Sequence, residues 1–487
     1  MKFNRKSATT DVNSYEEWKQ KAIEQDRMSG MYAWKQVNYS NLYDNDEIHS
    51  RLMTLRAYRE KGDDEGLLFT LNEGIHGNMG GIGNAKLYEK AEFGTKQLIV
   101  DYIEEVSSAL LQLADRRNTN ISFEDKIDFF QRASICFGRS ALMLSGGAQL
   151  GNFHGGVIKA LVKENLLPSV ISGSSAGSMF AALAGTYSDE ALIEFFKEET
   201  LNEELAKEAR IFESIASQKK SVGIKELESA VNTLIPDLTF QEAYQLTGRK
   251  INISIAPHKA LQKSRLLNAI ASPNVLIRSA VMASCAIPGV FPPVTLFAKN
   301  KDGRVQAYLP SRKWVDGSLS NDLPAKRLAR MYGVNHFIVS LTNPIILPFV
   351  NSKLNQSELI SPFLRFNKSI IKEVSNFNHS IVQSLFKRVP AVSYLSNSIN
   401  SIVQQDYTGD INIVADFSTV KPTKLLTSLT RDELLELLNK GEKATWPKIE
   451  MIRLTTKVGR ILDQILLDYE QEELRLAKRG LGSPSKN

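Results

Sequence analysis

Three short stretches of this 487-residue chain hold residue types whose spacing suits chemistry. One is Gly173-Ser174-Ser175-Ala176-Gly177, a serine set between glycines as G-x-S-x-G. Between a strand and a helix, that pattern projects a hydroxyl from a sharp turn and makes it a nucleophile. The helix that follows aims its first amides, with their partial positive charge, at an oxyanion formed there. The second stretch, LSGGAQLGNFHGGV at 144–157, places five glycines in fourteen positions. Each glycine loses more entropy on folding than alanine would, so close approach of bare backbone is the compensation to look for. The amides of Gly146, Gly147 and Ala148 can converge on the negative oxygen of a tetrahedral intermediate at Ser175. Gly151, Gly155 and Gly156 then let a helix lie close to its sheet. A nucleotide phosphate loop is the rival use, but neither G-x-G-x-x-G nor G-x-x-x-x-G-K-[ST] occurs here.

A serine nucleophile needs a base. The chain has six histidines: His49, His76, His154, His258, His336 and His379. His336 and His379 follow the serine in the order that an α/β-hydrolase triad uses. His336 opens an apolar strand, however, and His379 lies on an amphipathic helical stretch. An aspartate acting directly is the alternative. Asp302-Gly303 has Asn300, Lys301 and Arg304 around it and reads as a solvated turn. Asp316-Gly317 is the third chemical stretch, within Lys313-Trp314-Val315-Asp316-Gly317-Ser318-Leu319. Burial among those apolar neighbours raises a carboxyl pKa and improves it as a base. On the residues alone, triad and dyad both stay open.

The elements that must position these groups follow from hydrophobic periodicity. Short apolar strands at 141–144 and 170–172 alternate with helices at 157–164 and 176–184, and further strands are expected at 251–255, 336–341 and 411–414. That alternation predicts an α/β fold with a mostly parallel sheet. The stretch 294–309 reads as a hairpin around Asp302-Gly303. Before it, 13–136 is expected to be helical, with Ser14 and Glu17 as a capping box for a helix at 15–26. Further helices are expected at 46–61, 66–75 and 85–117, the last two separated by the glycine-rich break at 77–84. After 345 the chain turns helical again, with helices expected at 432–440 and 448–478. The expected division is therefore a helical region at 13–136, a catalytic core at 137–345 and a mostly helical extension at 346–480.

Composition narrows the class. With 43% hydrophobic and 23% charged residues, the chain can bury a large core. Its 60 basic and 54 acidic residues give a net charge of +6 without a basic tract, so nucleic acid is not an expected partner. Two cysteines, Cys136 and Cys285, favour a reducing, intracellular setting. The start MKFNRKSATTDVNSYEEW has basic residues with no apolar run behind them, so no signal peptide is expected. The uncharged stretch 165–188 is long enough to span a bilayer. It contains Pro168, Gly173, Gly177 and a cluster of serines, and reads instead as buried strand, turn and helix.

Taken together, G-G-x-x-x-G after one strand, G-S-S-A-G after the next, and D-G about 140 residues later resemble the patatin-like phospholipase family. LSGGAQLGNFHGGVIKALVKENLLPSVISGSSAG and DGSLSNDLPAKRL, with WKQVNYSNLYD, RLMTLRAYR and MGGIGNAKLY upstream, resemble its plant and yeast triacylglycerol lipases. The resemblance implies a three-layer α/β/α core and a Ser–Asp dyad needing no histidine, metal or cofactor. Ser175 becomes the nucleophile and Asp316 the base, with the amides of Gly146, Gly147 and Ala148 as the oxyanion hole. Gly151, Gly173, Gly177 and Gly317 are the motif glycines, and His154 is expected to support loop packing. Many members carry a third glycine where this chain has Ala148; an amide donor survives the change. The implied substrate is a neutral glycerolipid at a membrane or lipid-droplet surface. Phospholipid hydrolysis and acyl transfer to a lysolipid use the same dyad, and a catalytically idle lipid-surface scaffold is the alternative of another class.

A lipid surface also needs a contact. Phe363, Phe366, Ile370, Val374, Phe377, Ile381 and Leu385 recur three to four residues apart, a continuous apolar stripe. The surrounding stretch has six basic and two acidic side chains between 345 and 405. A basic amphipathic helix can lie in a membrane interface; covering the sheet is its other use.

Overall fold

A computed structural model of the protein describes residues 12–115, 117–197, 223–259, 263–344, 346–347, 409–416, 425 and 429–481. The apolar stripe at 363–385, and His379 with it, lie outside the described residues. The chain divides into two compact units: 1–140 with 332–336 and 446–487, and 141–331 with 337–445.

The first unit is helical. Tyr15–Met28 starts where Ser14 Oγ accepts the Glu17 amide at 3.3 Å. The Glu17 carboxylate returns to the amide of Asn13 at 3.0 Å, one residue before the cap. Asn45–Lys61 and Asp64–Gly74 begin the same way, at Asp44 and Asp63. One expected helix is divided. The stretch 85–117 folds as Ala85–Tyr88 and Gln97–Ala114. Gly94 takes a φ of 72° between them, a conformation that a helix cannot continue through.

The sheet belongs to the second unit apart from the first residues of two of its strands. Its strands are β1 (Arg139–Leu144), β2 (Val170–Gly173), β3 (Lys250–Pro257), β4 (Arg265–Leu267), β7 (Trp314–Asp316), β8 (Val334–Leu341) and β9 (Ile411–Val414), with β5 (Leu296–Lys299) and β6 (Val305–Tyr308) forming a separate hairpin. The order is β4-β3-β2-β1-β8-β9, and β7 also pairs β3. The β1–β2, β2–β3 and β8–β9 ladders are parallel; β4 and β7 run antiparallel to β3. Continuous burial of Ala141 to Leu144, and of Ile251, Ile253 and Ile255, fits a sheet covered on both faces. The expected hairpin forms, with Gly303 at φ 76° in its turn. The two expected C-terminal helices are one, Arg431–Leu481, with Pro447 inside it. Pro447 is accommodated rather than terminating, although a proline removes one ladder hydrogen bond.

Candidate active site

The sharp turn is built from strand β2 and the helix Ala176–Thr186. Between them Ser175 takes φ 49° and ψ −128°, a backbone conformation that costs a non-glycine residue on the order of 1–3 kcal/mol. The surroundings hold it there. Ser175 N–H donates to Ser284 Oγ at 2.9 Å, and Ser284 Oγ donates onward to the Ser254 carbonyl at 2.7 Å. Ser178 Oγ donates to the Ser175 carbonyl at 2.6 Å. Gly173 and Gly177 have no room for a side chain. A Cβ on Gly173 would strike the Gly177 carbonyl, and one on Gly177 would strike the Leu144 carbonyl.

Asp316 ends β7 and reaches the serine through strand register. Gly173 of β2 pairs Ile253 of β3, and Ile255, two residues on, pairs Asp316. Gly317 permits this approach, because a Cβ there would strike the Ser254 carbonyl. The Asp316 carboxyl accepts from the Ser318 amide at 2.8 Å, and the Ser175 side chain lies close enough to help stabilise its charge. Both groups are buried, Ser175 at 5% exposure and Asp316 at 2%. Burial pushes the Asp316 pKa up to about 6, the two serine contacts pull against it, and the nearby Asp322 charge adds to the rise. A carboxylate poised near 6 is ionised at neutral pH yet basic enough to take a proton.

The glycine loop lies against this pair. A Cβ on Gly146 would come within 2.9 Å of Ser318 Cβ and 3.3 Å of Ser175 Cβ. Gly147 is packed against Thr342, and Gly151 against Ala176. Ala148 holds φ 48°. Gly146 departs from its expected role, because its amide is donated to Asp322 Oδ1 at 2.7 Å rather than left for an oxyanion. Among the described residues, no hydrogen bond engages the amides of Gly147 and Ala148.

Asp322 was not singled out in the sequence. It is fully buried. Its Oδ1 accepts from the Gly146 amide and, over a short distance, from Ser174 Oγ. Its Oδ2 accepts from Asn343 Nδ2 at 3.0 Å. One carboxylate thus ties the glycine loop, the serine turn and the chain after β8 together. The sequence signal was present in Asp316-Gly317-Ser318-Leu319-Ser320-Asn321-Asp322, but two acids six residues apart do not say which is the base.

His154 is fully buried, with Nδ1 2.7 Å from Ser340 Oγ and Nε2 2.9 Å from the Ser145 carbonyl. Since a carbonyl only accepts, Nε2 carries the proton and Nδ1 accepts from Ser340. Burial lowers its pKa to about 4, so it is neutral and braces the loop. His336 lies near the start of β8, where Nδ1 meets Ser140 Oγ at 3.0 Å, whereas the glycine loop follows the far end of β1. Asp302 is exposed in its hairpin turn.

A cavity of about 170 Å³ opens beside Ser175, lined by Met179, Phe180, Leu227, Leu234, Ile287 and Leu434 among others. Glu226 is the one charged side chain among its described lining residues. The arrangement can activate a hydroxyl, hold an oxyanion and lodge an apolar chain.

Comparison with known proteins fits this geometry. Residues 142–329 match the family described as patatin-like phospholipase, and residues 3–135 match a domain of unknown function, DUF3336. The chain is 31% identical to triacylglycerol lipase SDP1L of Arabidopsis thaliana, over 96% of this chain and 59% of that one. It is 34% identical to triacylglycerol lipase 4 of Saccharomyces cerevisiae, over 90% of this chain and 50% of that one. It is 32% identical to triacylglycerol lipase ptl3 of Schizosaccharomyces pombe, over 91% of this chain and 92% of that one. The chain thus spans about half to three fifths of the length of the first two relatives.

Proposed function

Because the chain belongs to the patatin-like phospholipase family, we propose that it is a serine lipid acyl hydrolase, a triacylglycerol lipase in which Ser175 and Asp316 form the catalytic dyad. The observation that carries the reading is the approach of these two buried side chains, brought together through strand β3, beside an apolar cavity. The Asp316 carboxylate takes the Ser175 proton as Oγ attacks the acyl carbonyl carbon. The oxyanion is received by the amides of Gly147 and Ala148 and by the start of the helix Ala176–Thr186. Collapse breaks the ester bond, and protonated Asp316 returns the proton to the departing glyceride oxygen. Water then attacks the acyl-Ser175 ester, Asp316 takes its proton, and the fatty acid leaves as Ser175 is reprotonated.

Neutral glycerolipid as substrate is supported by the names of the relatives and by the cavity, whose described charge is an acid and offers nothing to a phosphate. The same reading places the protein at a lipid surface as a peripheral protein. Among the described residues, no helix is long and apolar enough to cross a membrane. The test is release of fatty acid from emulsified trioleoylglycerol and from phosphatidylcholine, side by side, with Ser175→Ala as control. The reading expects the triacylglycerol to be preferred and Ser175→Ala to lose at least a thousandfold. Folded protein that turns over neither lipid contradicts it and favours an idle scaffold.

A further inference from the structure

The first unit contains a buried lysine with no part in the dyad. Lys96 is fully buried, and its Nζ donates to three backbone carbonyls, those of Trp34 (2.7 Å), Val37 (2.7 Å) and Tyr39 (3.1 Å). It also lies 4.1 Å from the centre of the Trp34 ring. All three ammonium donors are satisfied. Burying an ammonium is costly unless it is fully hydrogen-bonded, so this lysine fixes the chain that leaves the helix Met31–Gln36.

The chain so fixed presents apolar groups outward. Met28 is 78% exposed, Tyr32 49%, Val37 55% and Tyr39 73%, all within twelve residues. Within the stretch itself every charged side chain is basic. From Arg27 to Tyr43 there is no aspartate or glutamate. Exposed Arg27 lies 6.0 Å from the centre of the Tyr32 ring, and exposed Lys90 lies 5.7 Å from that of Trp34. Lys35 is taken up by the buried Asp26 at 2.6 Å.

We propose that residues 28–39, held in shape by Lys96, form a lipid-contact face of the protein. Tyrosine and tryptophan favour the headgroup level of a bilayer, where the ring is buried and the polar edge stays wet. Basic side chains beside them are drawn to anionic headgroups. A turn already immobilised by Lys96 loses little further entropy when it enters that layer. The proposal rests on the lipid-hydrolase reading for its biological sense and stands apart from it in its test.

The test is flotation of the full chain with vesicles of phosphatidylcholine, with and without phosphatidylserine, beside turnover of a monomeric short-chain ester and of emulsified trioleoylglycerol. Val37→Ser with Tyr39→Ser is expected to lower vesicle binding and emulsion turnover at least tenfold while leaving short-chain ester turnover unchanged. Lys90→Glu is expected to weaken binding only where phosphatidylserine is present. Met28→Ser with Tyr32→Ser, also confined to exposed side chains, is expected to lower vesicle binding as well and stands in if the first pair does not fold. Unchanged flotation of a folded variant overturns the proposal even if the hydrolase is active. A change in self-association by sedimentation, with flotation unchanged, also overturns it and assigns the face to a second copy. Flotation lost in the variants of a chain that hydrolyses nothing upholds the face and refutes the hydrolase reading.

Discussion

At the residue scale the proposed dyad implies a conflict between stability and activity. The folded protein holds the Asp316 proton up to about pH 6, whereas the unfolded chain releases it near the ordinary value of 3.8. As pH rises from about 4 to about 6, the unfolded state therefore gains on the folded one, and the cost is complete above that window. Asp316→Asn removes this cost. It is expected to melt at or above the wild-type temperature at pH 8, with the advantage gone at pH 4, and to lose at least a thousandfold in kcat. A melting temperature that falls at pH 8 contradicts this. In the wild type, kcat/KM is expected to drop tenfold per pH unit below an apparent pKa of about 6. Asp322 predicts a different signature. Asp322→Ala frees the Gly146 amide and Ser174 and loosens the loop, so kcat is expected to fall on the order of 10²-fold with KM little changed. Asp322→Asn keeps an acceptor for Gly146 and is expected to retain more of both kcat and melting temperature. Equal losses in the two variants would remove Asp322 as a positioning residue.

At the element scale, what was legible in the sequence was local. A strand, a sharp turn and a helix around Ser175 follow from the order of apolar and small residues, and the structure has them at Val170–Gly173 and Ala176–Thr186. The helix break near Gly94 was not legible, because apolar periodicity continues across it while the deciding contacts come from Lys96 and Asp26, distant in sequence from their partners. Strand β7 is three residues long and gains its identity from β3. That pairing is what carries Asp316 to Ser175, and no local pattern announces it. Asp322 stayed hidden for the same reason, since each of its partners is remote in the chain or buried. Close packing also set the meaning of Gly156. It meets the backbone of the C-terminal helix at Leu438 and Glu442, and Lys159 bonds Glu442 at 2.5 Å. Gly156→Ala is expected to destabilise the protein by about 1–3 kcal/mol, as overpacking does, read as a lower denaturant midpoint. An unchanged midpoint would show that this helix shifts freely.

At the scale of the whole molecule, the chain joins a helical unit to an α/β unit, and its C-terminal helix supplies residues to both. The proposed chemistry lies in the α/β unit, where β1, β2, β3 and β7 bring the glycine loop, the serine turn and the aspartate together. The proposed mechanism requires that Asp316 alone activate Ser175. The direct measurement is covalent labelling with a serine-directed fluorophosphonate, followed by peptide mass mapping and repeated across pH. One label per chain is expected, on Ser175, at a rate that rises through pH 6 and is lost in Asp316→Asn but kept in His336→Ala and His379→Ala. Labelling at full rate in Asp316→Asn, or its loss in a folded histidine variant, would contradict it.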